Sequence, residues 1–297
     1  MSNNVLAIKT FNYIWSHPNC QQHKLQSISK FVGWQLYKRF THQYLDIQLL
    51  PNIKLRCYPD SRSAAAVLYC GLYDYDDMNF LLRYLRSNDS FLDIGANIGV
   101  YTLLAASKIN DGKIYSFEVL PKNFARLQEN LKLNDLNQVD SYELAVSNQP
   151  GNISLDLAEG DSMPFITHTA TNTTISVPTD TLDDLLKNQQ IDNLTLAKID
   201  IEGAELLAFQ GAVSLLKQQR PLVWIMEIND TVKNLGHQKQ EVVEFIQSYG
   251  YSLYSYNADT NQISPITIET KQGNNVLAIA DCAVNFVCDR LSSYCLK

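Results

Sequence analysis

Residues 91–102 read Phe91-Leu92-Asp93-Ile94-Gly95-Ala96-Asn97-Ile98-Gly99-Val100-Tyr101-Thr102. An apolar run stops, two glycines bracket a turn, and a helical pattern begins. Gly95 lets the backbone approach a ligand with no Cβ in the way, and Gly99 lets the helix pack close to the strand. The dinucleotide fingerprint Gly-x-Gly-x-x-Gly fails here, because position 97 is Asn. No Gly-Lys-Ser/Thr phosphate loop is present either. The turn is therefore shaped for a nucleoside without a pyrophosphate. The plainer reading is a tight strand–helix turn with no ligand.

Working outward, a second apolar run ends Ser116-Phe117-Glu118, about twenty residues on, where a strand-tip acid can accept from ribose hydroxyls. Strand candidates at Ser90–Ile94, Lys113–Phe117, Val139–Val146, Leu194–Ile199 and Leu222–Ile228 alternate with helical patterns at 98–107, 121–133, 204–218 and 239–249. Short strand candidates close the chain at 253–256, 276–280 and 283–287. Strand–helix alternation implies an α/β fold, a parallel sheet with helices on both faces and the ligand at the carboxyl ends of its strands. A Thr-rich insertion, 152–186, separates the third and fourth runs, with strand candidates at 153–157 and 174–177.

The chain has 297 residues with 24 Lys and Arg against 31 Asp and Glu, a net charge of −7. That balance disfavours nucleic acid as a partner, since phosphate contacts need clustered cations. Charge is uneven, however: residues 1–56 carry seven cations and only Asp46 as an anion. Within them, Leu25, Ile28, Phe31, Val32, Leu36, Phe40 and Leu45 recur at helical steps among Lys24, Lys30, Lys38 and Arg39. This reads as a basic amphipathic helix over 24–45, either touching an anionic membrane surface or packed on the main domain. A hairpin around Pro51-Asn52 and a helix over 78–85 follow. The start lacks the long apolar run of a signal peptide, and no stretch reaches 18 apolar residues, so a cytoplasmic location is expected. The six cysteines show neither Cys-x-x-Cys nor zinc-ribbon spacing and are read as buried or idle thiols, with no metal assigned.

Several motifs occur in order: Gly71-Leu72-Tyr73-Asp74; Leu92 to Gly99; Phe117-Glu118 before Pro121 and Asn123; Ala145-Val146-Ser147 with Gly151; Thr181-Leu182-Asp183-Asp184-Leu185; and Lys198-Ile199-Asp200-Ile201-Glu202-Gly203-Ala204-Glu205. Together they resemble the FkbM-type S-adenosylmethionine-dependent methyltransferases from about Gly71 to Trp224. The resemblance implies a class I methyltransferase, Rossmann-like doubly wound sheet of seven strands with the last antiparallel. Here it would occupy residues 75–297, with 1–74 a helix-and-β extension. It also implies S-adenosyl-L-methionine as cofactor and, usually, O-methylation of a hydroxyl on a glycan, glycolipid or secondary metabolite. Two departures are Asp74, where the family commonly has Glu, and Val119-Leu120 between the ribose acid and Pro121. Carried over, Asp93, Gly95, Asn97 and Gly99 line the methionine portion, and Thr102 helps hold its carboxylate. Glu118 takes the ribose, Val119 beside it also contacts the cofactor, and Glu143, Ala145 and Ser147 flank the adenine.

A hydroxyl acceptor must lose its proton as the methyl–oxygen bond forms, so a base belongs at the strand tips. Asp200 and Glu202 end the fourth apolar run and Glu227 the fifth, and these three are the candidate catalytic residues. Glu205 fits a helix-start role instead. His168, in the insertion, is a weaker candidate base. Asp200, Glu202 and Glu227 could also offer hard oxygen ligands to a divalent metal. Residues two apart on a strand face opposite sides, though, so Asp200 and Glu202 converge only if the turn reorients them. Two other readings stay open, an N-methyltransferase and a non-catalytic cofactor-binding adaptor recruited through the basic helix.

Overall fold

The computed structural model describes residues 3–157, 165–166, 171–187, 189, 191–273 and 275–294. His168 and Cys295 lie outside the described residues. In chain order the helices are α1 Asn3–Ser16, α2 Lys24–Thr41, α3 Arg62–Cys70, α4 Tyr75–Tyr84, α5 Val100–Ala106, α6 Pro121–Leu133, α7 Leu182–Leu186, α8 Glu205–Gln210, α9 Val213–Lys217, α10 Lys239–Gln247 and α11 Val284–Ser292. The strands are β1 Leu45–Leu50, β2 Ile53–Cys57, β3 Ser90–Ile94, β4 Ile114–Phe117, β5 Val139–Tyr142, β6 Ala145–Val146, β7 Gly151–Asp156, β8 Phe165–Ile166, β9 Thr174–Asp180, β10 Leu194–Ile199, β11 Val223–Glu227, β12 Tyr251–Asn257, β13 Gln262–Pro265 and β14 Asn275–Ala280.

The central sheet runs β13-β12-β14-β11-β10-β3-β4-β5. β5, β4, β3, β10 and β11 pair in parallel, while β14 is antiparallel to both β11 and β12. This is the class I methyltransferase order, seven strands with the last in sequence inserted antiparallel, and β13 adds a hairpin strand at the edge. From β3 the chain winds outward through β4 to β5; from β10 it winds the other way to β11 and β12. Right-handed crossovers in opposite directions put the two sets of helices on opposite faces. β3 and β10 therefore flank the switch point, and their carboxyl ends are Ile94-Gly95 and Ile199-Asp200. β3 and β10 are buried at every position, which is why they read as apolar runs rather than alternations.

Three expectations need correction. The apolar run 139–146 is not one strand. It breaks at exposed Glu143, and Ala145–Val146 pairs with β9 in a separate four-stranded sheet, β6-β9-β7-β8. The expected strand over 283–287 is the start of α11: Ala283, Val287 and Leu291 are buried at four-residue steps, a helical period. The helix over 204–218 divides at Gly211, where a Cβ would lie 2.0 Å from the Ser147 carbonyl oxygen.

The amphipathic segment also resolves differently. α2 ends at Thr41 with His42 left-handed, and Leu45 belongs to β1. Ile28, Phe31 and Trp34 pack toward the core, whereas Leu25, Val32, Leu36 and Phe40 form a stripe on the opposite, exposed side. The β1–β2 hairpin docks on α6, with Arg56 N–H donating to Asn130 Oδ1 at 2.8 Å and Lys54 N–H to Asn134 Oδ1 at 2.7 Å. Among the described residues no helix is long and apolar enough to cross a membrane.

Candidate active site

The turn after β3 is held from two sides. Gly95 and Ala96 N–H both donate to the Phe117 carbonyl at 2.9 Å. Gly95 has φ +80°, and a Cβ on it would stand 2.0 Å from the Asp200 carbonyl oxygen. The close approach this glycine permits is thus to the neighbouring strand tip. Asn97, also left-handed at φ 53°, donates its N–H to Glu118 Oε2 at 2.7 Å, while Leu120 N–H donates to Oε1 at 2.8 Å. Two main-chain donors fix the Glu118 carboxylate, which is only 5% exposed, and burial pushes its pKa up to about 7.

The β10 tip is bent by its own sequence. Glu202 has φ +53°, a conformation uncommon for a residue with a Cβ. Gly203 follows at φ +99°, with the Thr231 carbonyl 2.6 Å from where its Cβ would be. Buried Glu205 holds the bend by accepting from Ile201 and Gly203 N–H, each at 3.2 Å. The bend sets Asp200 and Glu202, two residues apart, on one cavity. Lys198, buried in β10, reaches Asp200 Oδ2 at 3.0 Å and lies 4.9 Å from the centre of the Tyr101 ring. Tyr101 donates to Asp74 Oδ2 at 3.0 Å, and burial lifts that carboxyl to about 6. Burial and the neighbouring Asp200 push Glu202 up to about 7; the same causes push Glu227 to about 8.

These tips open on a cavity of about 690 Å³. Of the residues expected at the cofactor, Gly95, Asn97, Glu118, Val119, Ala145 and Ser147 line it, as do Asp200 and Glu202 of the candidate bases. Asp93, Gly99, Thr102, Glu143 and Glu227 do not. Thr102 is fully buried, donates to Asp93 Oδ2 at 2.6 Å and sits 2.8 Å from Ser116 Oγ, so the Asp93–Thr102 pair braces the turn from behind. Gly99 makes room for Leu127, whose Cδ1 would be 2.5 Å from an added Cβ. Glu143 is exposed in the break between β5 and β6. Glu227 ends β11 with Oε2 buried and unpartnered. Among the described residues, Asp200, Glu202 and Glu227 do not bring oxygens within 4.8 Å of one another as a set of three.

Sequence reasoning named none of the residues of two walls. One is cationic, with Arg62 at the start of α3 and Lys122 and Arg126 on α6, beside Asp60, which Lys122 meets at 2.8 Å and Arg126 at 2.6 Å. The other is apolar, Ile153, Leu155 and Ile166 from the insertion sheet. Lys198 carried a legible signal, since a lone lysine in Leu194–Ile199 has to be paired to be buried.

The family model described as the methyltransferase FkbM domain matches residues 93–253, more than half of the chain and both strand tips. The chain belongs to the FkbM methyltransferase family. Within it, the chain is 27% identical over 149 residues to a hexuronic acid methyltransferase, AglP, of Haloferax volcanii, covering 48% of this chain and 58% of that one. It is 27% identical over 196 residues to the methyltransferase sdnD of Sordaria araneosa, covering 55% and 75% respectively. The match therefore spans under two thirds of the Haloferax protein. A solved FkbM methyltransferase from Methylobacillus flagellatus superposes with a TM-score of 0.44 at 14% identity, covering 88% of this chain and 60% of that one. The FkbM domain of this chain thus includes the Gly95 turn, Glu118, the Asp200–Gly203 bend and Lys122 and Arg126 of the cationic wall, while Arg62 lies before it.

Proposed function

We propose that the chain is an S-adenosylmethionine-dependent methyltransferase acting on a hydroxyl of an anionic sugar unit, in a glycan, glycolipid or secondary metabolite. The observation that carries this is the joint exposure of Glu118, Asp200 and Glu202 to one cavity, with the first pinned by two main-chain donors. The cavity's size suits a small-molecule ligand of this class, roughly 300–1,000 Å³. Glu118 keeps lone pairs for ribose hydroxyls, and the carboxylates favour a cationic ligand. Gly95 to Asn97 would hold the methionine portion, and Val119, Ala145 and Ser147 the adenine.

When bound, the cofactor supplies a methyl group on a cationic sulfur that leaves as a neutral thioether. The chain's own work is alignment and proton handling. Glu202 accepts the hydroxyl proton as the oxygen–carbon bond forms; its raised pKa puts it near neutrality, where a base is most effective. Lys198 pairs with Asp200 at 3.0 Å, and Asp200 orients the acceptor. Arg62, Lys122 and Arg126 bring cationic donors to the far wall, which suits a carboxylate- or phosphate-bearing acceptor. The Haloferax relative, by its name, acts on a hexuronic acid, which is an anionic sugar.

The test is calorimetric binding of S-adenosylhomocysteine followed by labelled-methyl transfer to uronate-containing oligosaccharides. Glu202→Gln should keep cofactor affinity and lose roughly 10²–10⁴ in rate. Failure of the wild type to bind the cofactor would end this reading.

A second feature bears on where the acceptor is met. Leu25 and Phe40 are 81% and 79% exposed on the outer stripe of α2, within a segment rich in cations. We assign this stripe to an anionic bilayer, suited to a lipid-linked acceptor. The wild type should float with phosphatidylglycerol vesicles, and the Leu25→Ser/Phe40→Ser variant should not. Equal behaviour of the two would remove the membrane contact.

A further inference from the structure

The junction between α1 and α2 gathers chemistry that methyl transfer does not use. His17 stands immediately before a single 3-10 turn, Pro18–Cys20, so His17 and Cys20 project from the same side. Cys70 is the last residue of α3. A ring nitrogen of His17 and the two Sγ atoms all lie within 4.8 Å of one another, and the three residues are 5%, 0% and 5% exposed.

The imidazole decides how the cluster reads. Its Nε2 is 2.9 Å from the Tyr73 carbonyl, which can only accept, so Nε2 carries the proton. Nδ1 then holds a lone pair, and it is buried with no hydrogen-bond partner. A buried polar atom left unpaired is costly and calls for an explanation. A histidine whose far nitrogen is fixed on a backbone carbonyl is the arrangement in which imidazoles bind metals. The two thiols meet each other, and Cys20 Sγ makes a long 3.9 Å contact to the Tyr69 carbonyl.

We infer that His17 Nδ1, Cys20 Sγ and Cys70 Sγ form a site for a thiophilic ion such as Zn²⁺. Zinc bonds of about 2.0–2.3 Å place tetrahedral ligand atoms roughly 3.3–3.8 Å apart, so donors gathered within 4.8 Å need only a small inward shift. Two thiolates and one imidazole select soft metals over magnesium or calcium. The fourth position is left to solvent or an exogenous ligand. The ion would tie the first helix to the loop 71–74. Asn19 Nδ2 already bonds the Cys70 and Leu72 carbonyls there, and Tyr13 donates to the Tyr73 carbonyl at 2.8 Å. Since Tyr73 lines the cavity and Asp74 holds Tyr101, the site would brace one wall of the catalytic centre from outside. The sequence hid it, because the third ligand lies fifty residues beyond a His-x-x-Cys pair.

The test uses the full, untagged chain purified under reducing conditions. Zinc is measured by elemental analysis and by competition with a chromophoric chelator, and Co²⁺ substitution is read by its thiolate charge-transfer absorption. One ion per chain is expected, with a cobalt thiolate band and a melting temperature that falls on chelation. His17→Gln and Cys70→Ser should each weaken binding by about tenfold or more. The Cys282→Ser/Cys288→Ser/Cys295→Ser variant, lacking the other C-terminal thiols, should bind as the wild type does. His17→Gln keeps both thiols, and circular dichroism checks that it folds. A folded, reduced wild type that binds no zinc would overturn the site. So would binding that persists in His17→Gln and Cys70→Ser but vanishes in the triple serine variant, or a Cys20–Cys70 disulfide in anaerobically purified protein.

Discussion

Gly95 rests against Asp200, with the carbonyl oxygen of the latter 2.0 Å from the place a Cβ would take. The first and fourth strand tips of the parallel sheet therefore touch through main chain, and the glycine turn and the acidic bend are one unit. Gly95→Ala should break that unit twice, by the clash and by forcing φ +80° on a residue with a Cβ. We expect a loss of about 3 kcal/mol or more in chemical denaturation and loss of cofactor binding by calorimetry. A variant with wild-type stability and affinity would show that the two tips are not coupled.

Lys198 is the counter-charge for this centre. It lies 3.0 Å from Asp200, and Asp93 and Asp74 also act on it. Although burial alone would lower its pKa, those acids hold it up at about 12. Lys198→Met leaves several acids uncompensated in low dielectric, which should cost about 3 kcal/mol. Adding Asp200→Asn should recover part of that loss in a double-mutant cycle. Strict additivity of the two changes would refute the pairing.

The turn at 95–99, the acid at 118 and the acidic bend at 200–205 were legible because each is a local pattern: a strand end, a glycine, a carboxylate. The seven-stranded order followed from alternation together with the family resemblance. What sequence could not show depends on through-space placement. Thr102 sits two residues into its helix and yet turns back to Asp93. Ala145 leaves the central sheet, because exposed Glu143 ends the pairing of β5. Arg62, Lys122 and Arg126 come from two distant helices and meet only once the hairpin docks on α6. The stripe of α2 misled for the opposite reason. Apolar residues occupy both of its sides, so periodicity alone could not say which one faces the core.

Thr102 supports the turn without facing the cavity. Its hydroxyl satisfies Asp93 Oδ2, while Asp93 Oδ1 is buried without a partner. Thr102→Val should therefore cost about 1–3 kcal/mol, the cost of stranding a buried acceptor, and Thr102→Ser should restore most of it. Because the hydroxyl points away from the cavity, cofactor affinity should change less in Thr102→Val than in Glu118→Gln. The reverse order in calorimetry would put Thr102 in contact with the cofactor.

Acidity should act on stability and on rate in opposite directions. Asp77, Glu118 and Glu202 have carboxyl groups raised to about 7, and Glu227 to about 8, chiefly by burial. Their ordinary values are 3.8 for Asp and 4.5 for Glu, so between those values and 7–8 the folded chain holds protons that the unfolded chain has released. Stability with respect to unfolding must then fall as pH rises through that window and level off above about 8. Lowered Asp60, paired with Lys122 and Arg126, titrates below the window and does not offset it. Methyl transfer should instead rise through about pH 7 as Glu202 ionises. Denaturant midpoints at pH 5.5 and 8 test the first half, and a pH–rate profile with Glu202→Gln tests the second. A chain no more stable at pH 5.5 than at 8 would contradict the raised carboxyls, and an unchanged rate profile in the variant would remove Glu202 as the base.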